Sequence, residues 1–180
     1  VYTRRRRVLV EQMASKMPEG RCGIAVFLGN VDAAVNYRGN DYKFRQDSNF
    51  LYYWGVDEPW FAAVIDLDSA DECLYGNDVD IDDIIWMGPQ PSVASKGASV
   101  GCAKTLPLAE FDKAVRDAVA AGRPVHFLPP ARYYNQMKLA ELTGISAEMV
   151  RKVAPVAAGG ASEELVKSVV AMRLIKEQCE

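Results

Sequence analysis

The residues able to do chemistry in this chain are few, and their spacing is poor for it. One histidine, His126, and four cysteines, Cys22, Cys73, Cys102 and Cys179, are the whole stock of imidazole and thiol groups. The cysteines are far apart, form no C-x-x-C pair and have no histidine cluster to complete a zinc site. Free thiols in a reducing compartment are the expectation. His126 lies in the apolar run Pro124-Val125-His126-Phe127-Leu128, which predicts a strand histidine satisfied by its neighbours rather than a ligand. The acidic segment from Asp78 to Asp83 has oxygens at alternating positions, as a calcium loop would. It lacks the glycine at the sixth position, and Pro89 stands where the twelfth-position glutamate would be, so a solvated loop and helix start is the better reading. Asp66, Asp68 and Asp71 are read the same way. No dinucleotide-binding, phosphate-loop, nucleophile-elbow or zinc-protease motif is present.

The one dense constellation runs from Phe44 to Pro59, where Arg45, Gln46, Asp47, Ser48 and Asn49 precede Phe50, Tyr52, Tyr53 and Trp54. Arg45 and Asp47 could form a partly buried pair that fixes a turn, with Gln46, Ser48 and Asn49 satisfying backbone groups. The alternative is an interface hot spot, in which arginine, tyrosine and tryptophan are over-represented.

These residues need a scaffold, and the apolar pattern supplies one. Leu9, Met13 and Met17 recur at four-residue spacing, predicting a helix from Arg4 to Met17 that Pro18 and Gly20 end. Cys22–Leu28 is a continuous apolar run, as in a strand buried on both faces of a parallel or mixed sheet. Asn30–Asp41 reads as a loop with at most one short strand. Phe50–Trp54 reads as a strand closed by Gly55, and Phe61–Leu67 with Glu72–Tyr75 as a hairpin. Asp80–Met87, Leu108–Ala121 and Arg132–Leu142 read as helices, and Val125–Leu128 as a short strand. Ser92–Lys104 is too weakly patterned to assign. Val153–Ala161 reads as a linker. A last helix starts at Ser162 and reaches Glu180 without a stop signal, which predicts that the polypeptide continues.

The chain has 180 residues, 49% hydrophobic and 25% charged, the balance of a folded soluble domain. No apolar run reaches the ~18 residues of a membrane span, and the basic start lacks the apolar stretch of a signal peptide. Net charge is −3. Between Gln46 and Ser95 eleven acids stand without one lysine or arginine, which argues against nucleic acid as a partner. Arg4–Arg7 is expected on the solvated face of the first helix, or paired with acids of a neighbour.

The string FRQDSNFLYYWGVDEPW, Phe44 to Trp60, closely resembles the hallmark of the amino-terminal domain of aminopeptidase P, the Xaa-Pro aminopeptidases of the creatinase and prolidase ("pita-bread") superfamily. Further similarity lies in the arginine-rich opening helix, in Ala62–Asp66, in Ile85-Trp86-Met87-Gly88, and in Met172-Arg173-Leu174-Ile175-Lys176, which looks like the segment leading into the catalytic domain. The resemblance implies a three-layer α/β/α domain with a roughly six-stranded mixed sheet of the ribonuclease-H-like sort, over residues 1–154, with 155–180 as linker and connecting helix. It implies that chemistry resides in a following carboxy-terminal domain holding two divalent metals, usually manganese, with no catalytic residue, metal or cofactor in this chain. The implied activity of the parent is removal of an N-terminal residue preceding proline, in a cytoplasmic homo-oligomer. Its implied partners are that catalytic domain and the peptide. Trp86 matches a tryptophan that reaches a neighbouring subunit's active-site region in some members. Arg45, Asp47, Asn49 and Tyr53 are the other access or interface candidates. A prolidase- or creatinase-type hydrolase and a non-enzymatic binding scaffold are the alternatives.

Overall fold

The computed structural model describes residues 1–17, 20–37, 39–152 and 162–175. Its centre is a five-stranded mixed sheet in the order β4-β3-β2-β1-β5, formed by β1 (Ile24–Leu28), β2 (Ala62–Asp66), β3 (Glu72–Tyr75), β4 (Thr105–Leu106) and β5 (Val125–Phe127). β2 runs antiparallel to β1 and β3, whereas β1 with β5 and β3 with β4 are parallel. Four strands therefore point one way and β2 the other. Chain order moves outward from β1 through β2, β3 and β4 and then returns to the far side of β1 with β5.

Strand side chains alternate between two covered faces, which is why β1 reads as one unbroken apolar run. Ala25, Phe27, Ala63, Ile65 and Leu74 face a core shared with α1 (Tyr2–Ala14), α2 (Ser48–Trp54) and α8 (Ser162–Arg173). Ile24, Val26, Val64, Tyr75, Val125 and Phe127 face a second core shared with α5 (Leu108–Ala120) and α6 (Tyr133–Thr143). The result is the expected three-layer α/β/α arrangement. α3 (Ile81–Met87) and α4 (Val93–Ser99) lie in the β3–β4 connection, and α7 (Ala147–Val150) follows α6.

Two expectations are corrected and one unassigned stretch is settled. First, Phe50–Trp54 is the body of α2, not a strand, and the sheet formed by the described residues has five strands. A short apolar run cannot separate the two by periodicity, and local signals decide. The Asp47 carboxylate caps the first turn, and Gly55 closes the last in the left-handed conformation, φ 67°. Second, the weak stretch after Ser92 forms α4, capped by the Ser92 hydroxyl. Third, the last helix ends at Arg173 instead of continuing toward Glu180. The linker expected at 153–161 and the chain after 175 lie outside the described residues.

Candidate functional site

α2 is fixed by residues of its own string and by partners from α1 and the segment near 173. Asp47 Oδ1 accepts the amides of Asn49 at 2.9 Å and Phe50 at 3.0 Å. Gln46, 4% exposed, cross-braces the approach: its Oε1 accepts from the backbone of Asn30 and Asp47, and its Nε2 donates to the carbonyls of Val56 and Glu58. Phe50, Tyr52, Tyr53 and Trp54 are buried. The Tyr52 hydroxyl donates to the Met172 carbonyl at 2.7 Å, the Tyr53 hydroxyl to the Met172 sulfur at 3.4 Å, and Arg173 Nη1 to Asn49 Oδ1 at 2.8 Å. The two sequence segments that carry the resemblance, near 50 and near 173, are therefore in contact. Burial pushes the Tyr53 phenol well above its ordinary range, the neighbouring Tyr52 adding to the rise. It is a neutral anchor at any physiological pH.

The opening arginines part company with expectation. Arg4 and Arg7 are exposed, Arg7 beside Glu11, but Arg5 and Arg6 are 4% and 1% exposed. The Arg6 guanidinium grips both Glu72 oxygens, donates to the carbonyls of Tyr53, Val100 and Gly101, and lies 4.6 Å from the centre of a Trp54 ring. Arg5 stacks 3.7 Å from the Tyr52 ring centre and donates to its carbonyl. A guanidinium can be buried because its planar fork matches so many acceptors at once. An i, i+4 apolar pattern does not reveal which arginines will find them.

The expected Arg45–Asp47 pair does not form: Arg45 is exposed and its carbonyl accepts from Asn30 Nδ2, while Asp47 serves as the cap. Asp47, as the N-cap, and Asn49 and Tyr53, within the helix, thus meet on one short element, α2, where each makes a bond that holds it in place. Trp86 stands apart on α3. It is 87% exposed, with Ile81 at 73% and Ile85 at 76% beside it. Large apolar side chains gathered on one solvent-facing helix make a candidate interaction surface.

Ionisable groups elsewhere serve structure. Arg123 Nη2 donates to Asp66 Oδ1 and Asp68 Oδ2, each at 2.8 Å. Burial tends to raise both carboxyls, but bonds from Arg123 and from nearby backbone amides outweigh it and hold them below the ordinary 3.8. Asp78 Oδ1 accepts the Val93 amide at 2.6 Å. His126 is fully buried and its Nε2 lies 2.8 Å from the Cys22 carbonyl. The Cys102 thiol, desolvated and near Glu72, is pushed up to about 11 and is unsuited to nucleophilic work. Among the described residues no group of three or more histidine, cysteine or carboxylate side chains is placed to hold a metal ion. The paired-metal chemistry implied by the resemblance therefore has no fitting donor set here. Among the same residues, no helix is long and apolar enough to cross a membrane.

Two features escaped sequence reasoning. The buried pair Arg5 and Arg6 is one. The other is Trp60 and Tyr134, 74 positions apart in the numbering, whose rings meet edge-on at 5.8 Å; no local spacing announces such a contact.

Comparison with known proteins follows the same lines. Residues 2–126 match the family described as aminopeptidase P, N-terminal domain. A probable Xaa-Pro aminopeptidase of Penicillium rubens is 33% identical over 90 residues, 49% of this chain and 17% of that protein. A second, from Ajellomyces dermatitidis, is 33% identical over 67 residues, covering 37% of this chain and 13% of that protein. Among solved structures, aminopeptidase P from E. coli in its low-pH form and aminopeptidase PepP of Pseudomonas aeruginosa each superpose with a TM-score of 0.62 at 21% identity. Each of these covers 78% of this chain and 31% of the solved one, so this chain spans about a third of the structures whose fold it shares.

Proposed function

Because the chain belongs to the family of aminopeptidase P amino-terminal domains, within the creatinase and prolidase superfamily, we propose that it is the non-catalytic amino-terminal domain of a metal-dependent Xaa-Pro aminopeptidase. In this reading the parent removes the residue that precedes an N-terminal proline. A following domain supplies the carboxylates and histidine for two divalent metals, manganese by family precedent, and residues 155–180 lead into it. This domain shapes access to that site and builds the contacts of a cytoplasmic homo-oligomer.

The observation that carries the reading is the exposed Ile81, Ile85 and Trp86 surface on α3. An indole can pack flat on a prolyl ring while its N–H finds a polar partner, and the fold spends three large apolar residues on solvent at the position where Trp86 was expected to act. Val170 of α8 and the two residues just beyond that helix, Leu174 and Ile175, present a second apolar surface, which suits the face toward a following domain. Arg45, exposed at the entrance to α2, remains a rim candidate, whereas Asp47, Asn49 and Tyr53 act by fixing α2.

The test is cleavage of an Xaa-Pro peptide with added manganese, run on the 180-residue chain and on the polypeptide extended through its next domain. Activity confined to the extended form is expected. Activity in the short form would overturn the division of labour, and activity in neither would move the reading to a scaffold or another substrate.

A further inference from the structure

A cavity of about 220 Å³ opens outside the carboxyl ends of β1 and β3, bounded by Leu28, Phe61, Phe111, Trp60, Tyr134 and Lys138 among others. Its walls come from the end of β1, the start of β2 and the loop after β3, together with α5 and α6. Leu28, Phe61 and Phe111 give the cavity an apolar interior. Trp60 and Tyr134 form an edge-to-face pair at its wall, 44% and 45% exposed.

Trp60 is held there against backbone preference. Its φ is +64°, a left-handed conformation costly for a bulky residue. Its amide donates to the Asn30 carbonyl and its indole N–H to Asp32 Oδ2 at 2.9 Å. Strain of this kind persists only where the surroundings over-determine it, and it concentrates at binding sites.

The polar lining is charged with both signs. Lys138 donates to Asp112 Oδ2, which uses one of three ammonium hydrogens and one of two carboxylate oxygens. Asn135, 5% exposed, commits its Nδ2 to the Gly29 carbonyl, so its amide oxygen is the acceptor it can offer a ligand. The volume lies below the ~300–1,000 Å³ of pockets for drug-sized molecules, which selects something amino-acid-sized over a nucleotide or an extended peptide.

We propose that this cavity binds a free amino acid with an apolar or aromatic side chain, the side chain against Phe61, Phe111 and Trp60, the carboxylate at Lys138, and the ammonium at Asp112 and Asn135. The site is separate from the α3 surface and does not rest on the aminopeptidase reading.

Titration of ¹⁵N-labelled protein with L-phenylalanine, followed at the Trp60 indole N–H resonance, tests it. A saturable shift is expected, with affinity at least about tenfold weaker for glycine, which lacks the side chain, and for N-acetyl-phenylalanine amide, which lacks both charges. Lys138→Gln should weaken L-phenylalanine binding by about tenfold or more while the spectrum stays dispersed. Trp60→Gly relieves the left-handed strain and so keeps the fold; it should weaken binding by a similar factor, followed at the Tyr134 amide. No saturable shift, equal binding of the blocked amide, or unchanged affinity in both variants would overturn the proposal.

Discussion

α2 and α3 are both seven residues long, both carry a tryptophan at or next to the end, and both stop at a glycine. Their fates are opposite. Trp54 is fully buried, stacked on Phe50 and facing the Arg6 guanidinium, while Trp86 is 87% exposed. α2 has a side-chain cap and ties to α1 and α8 through Arg5, Arg6, Met172 and Arg173, whereas Asp80 before α3 makes no capping bond. The difference teaches that the string by which the family is recognised is chiefly an anchor. The exposed apolar surface of α3 lies where the fold makes fewer anchoring contacts.

That contrast can be broken by mutation. Trp54→Ala should cost about 3–5 kcal/mol, the usual range for emptying an aromatic site in a packed core; a denaturant midpoint close to wild type would deny α2 its anchoring role. Arg6→Ala, which strands Glu72 and three carbonyls, should approach the same loss, while Arg7→Ala should stay within about 0.5 kcal/mol. Asp47→Ala removes the cap and should cost about 1 kcal/mol, visible as faster amide exchange at Asn49 and Phe50.

The acids sharpen the comparison through pH. Asp66 and Asp68 have folded-state values depressed below 3.8, so their contribution is complete above the ordinary carboxylate range and is lost as pH falls through the folded values. Arg123→Ala should therefore lower stability at pH 7, by about 1 kcal/mol or less for partly exposed pairs. The gap to wild type should narrow on acidification below 3.8. A gap that widens with acid would reverse the assignment.

The smallest stability effect belongs to α3. Trp86→Ala should change the unfolding free energy by no more than about 0.5 kcal/mol. In the extended protein the same change should lower Xaa-Pro peptide cleavage or loosen the oligomer, read by steady-state kinetics and light scattering. Wild-type behaviour in both would remove Trp86 from the proposed function.

What the sequence determined by itself follows from short-range rules. Apolar runs bounded by turn residues placed β1, the β2–β3 hairpin and β5, amphipathic spacing placed α1, α5 and α6, and the string from Phe44 to Trp60 carried the family. The scarcity of histidine argued against chemistry in this chain. What only the tertiary structure decided involves partners distant in the chain. Arg6 and Arg7 are adjacent and chemically identical, yet one is buried because Glu72 and the carbonyls of Val100 and Gly101 converge on it from up to 95 positions away. Phe50–Trp54 has the composition of a strand and became a helix, because Asp47 and Gly55 close its ends and buried arginines and Met172 cover it. Burial is a property of what packs on a residue, and periodicity records only the residue's own face.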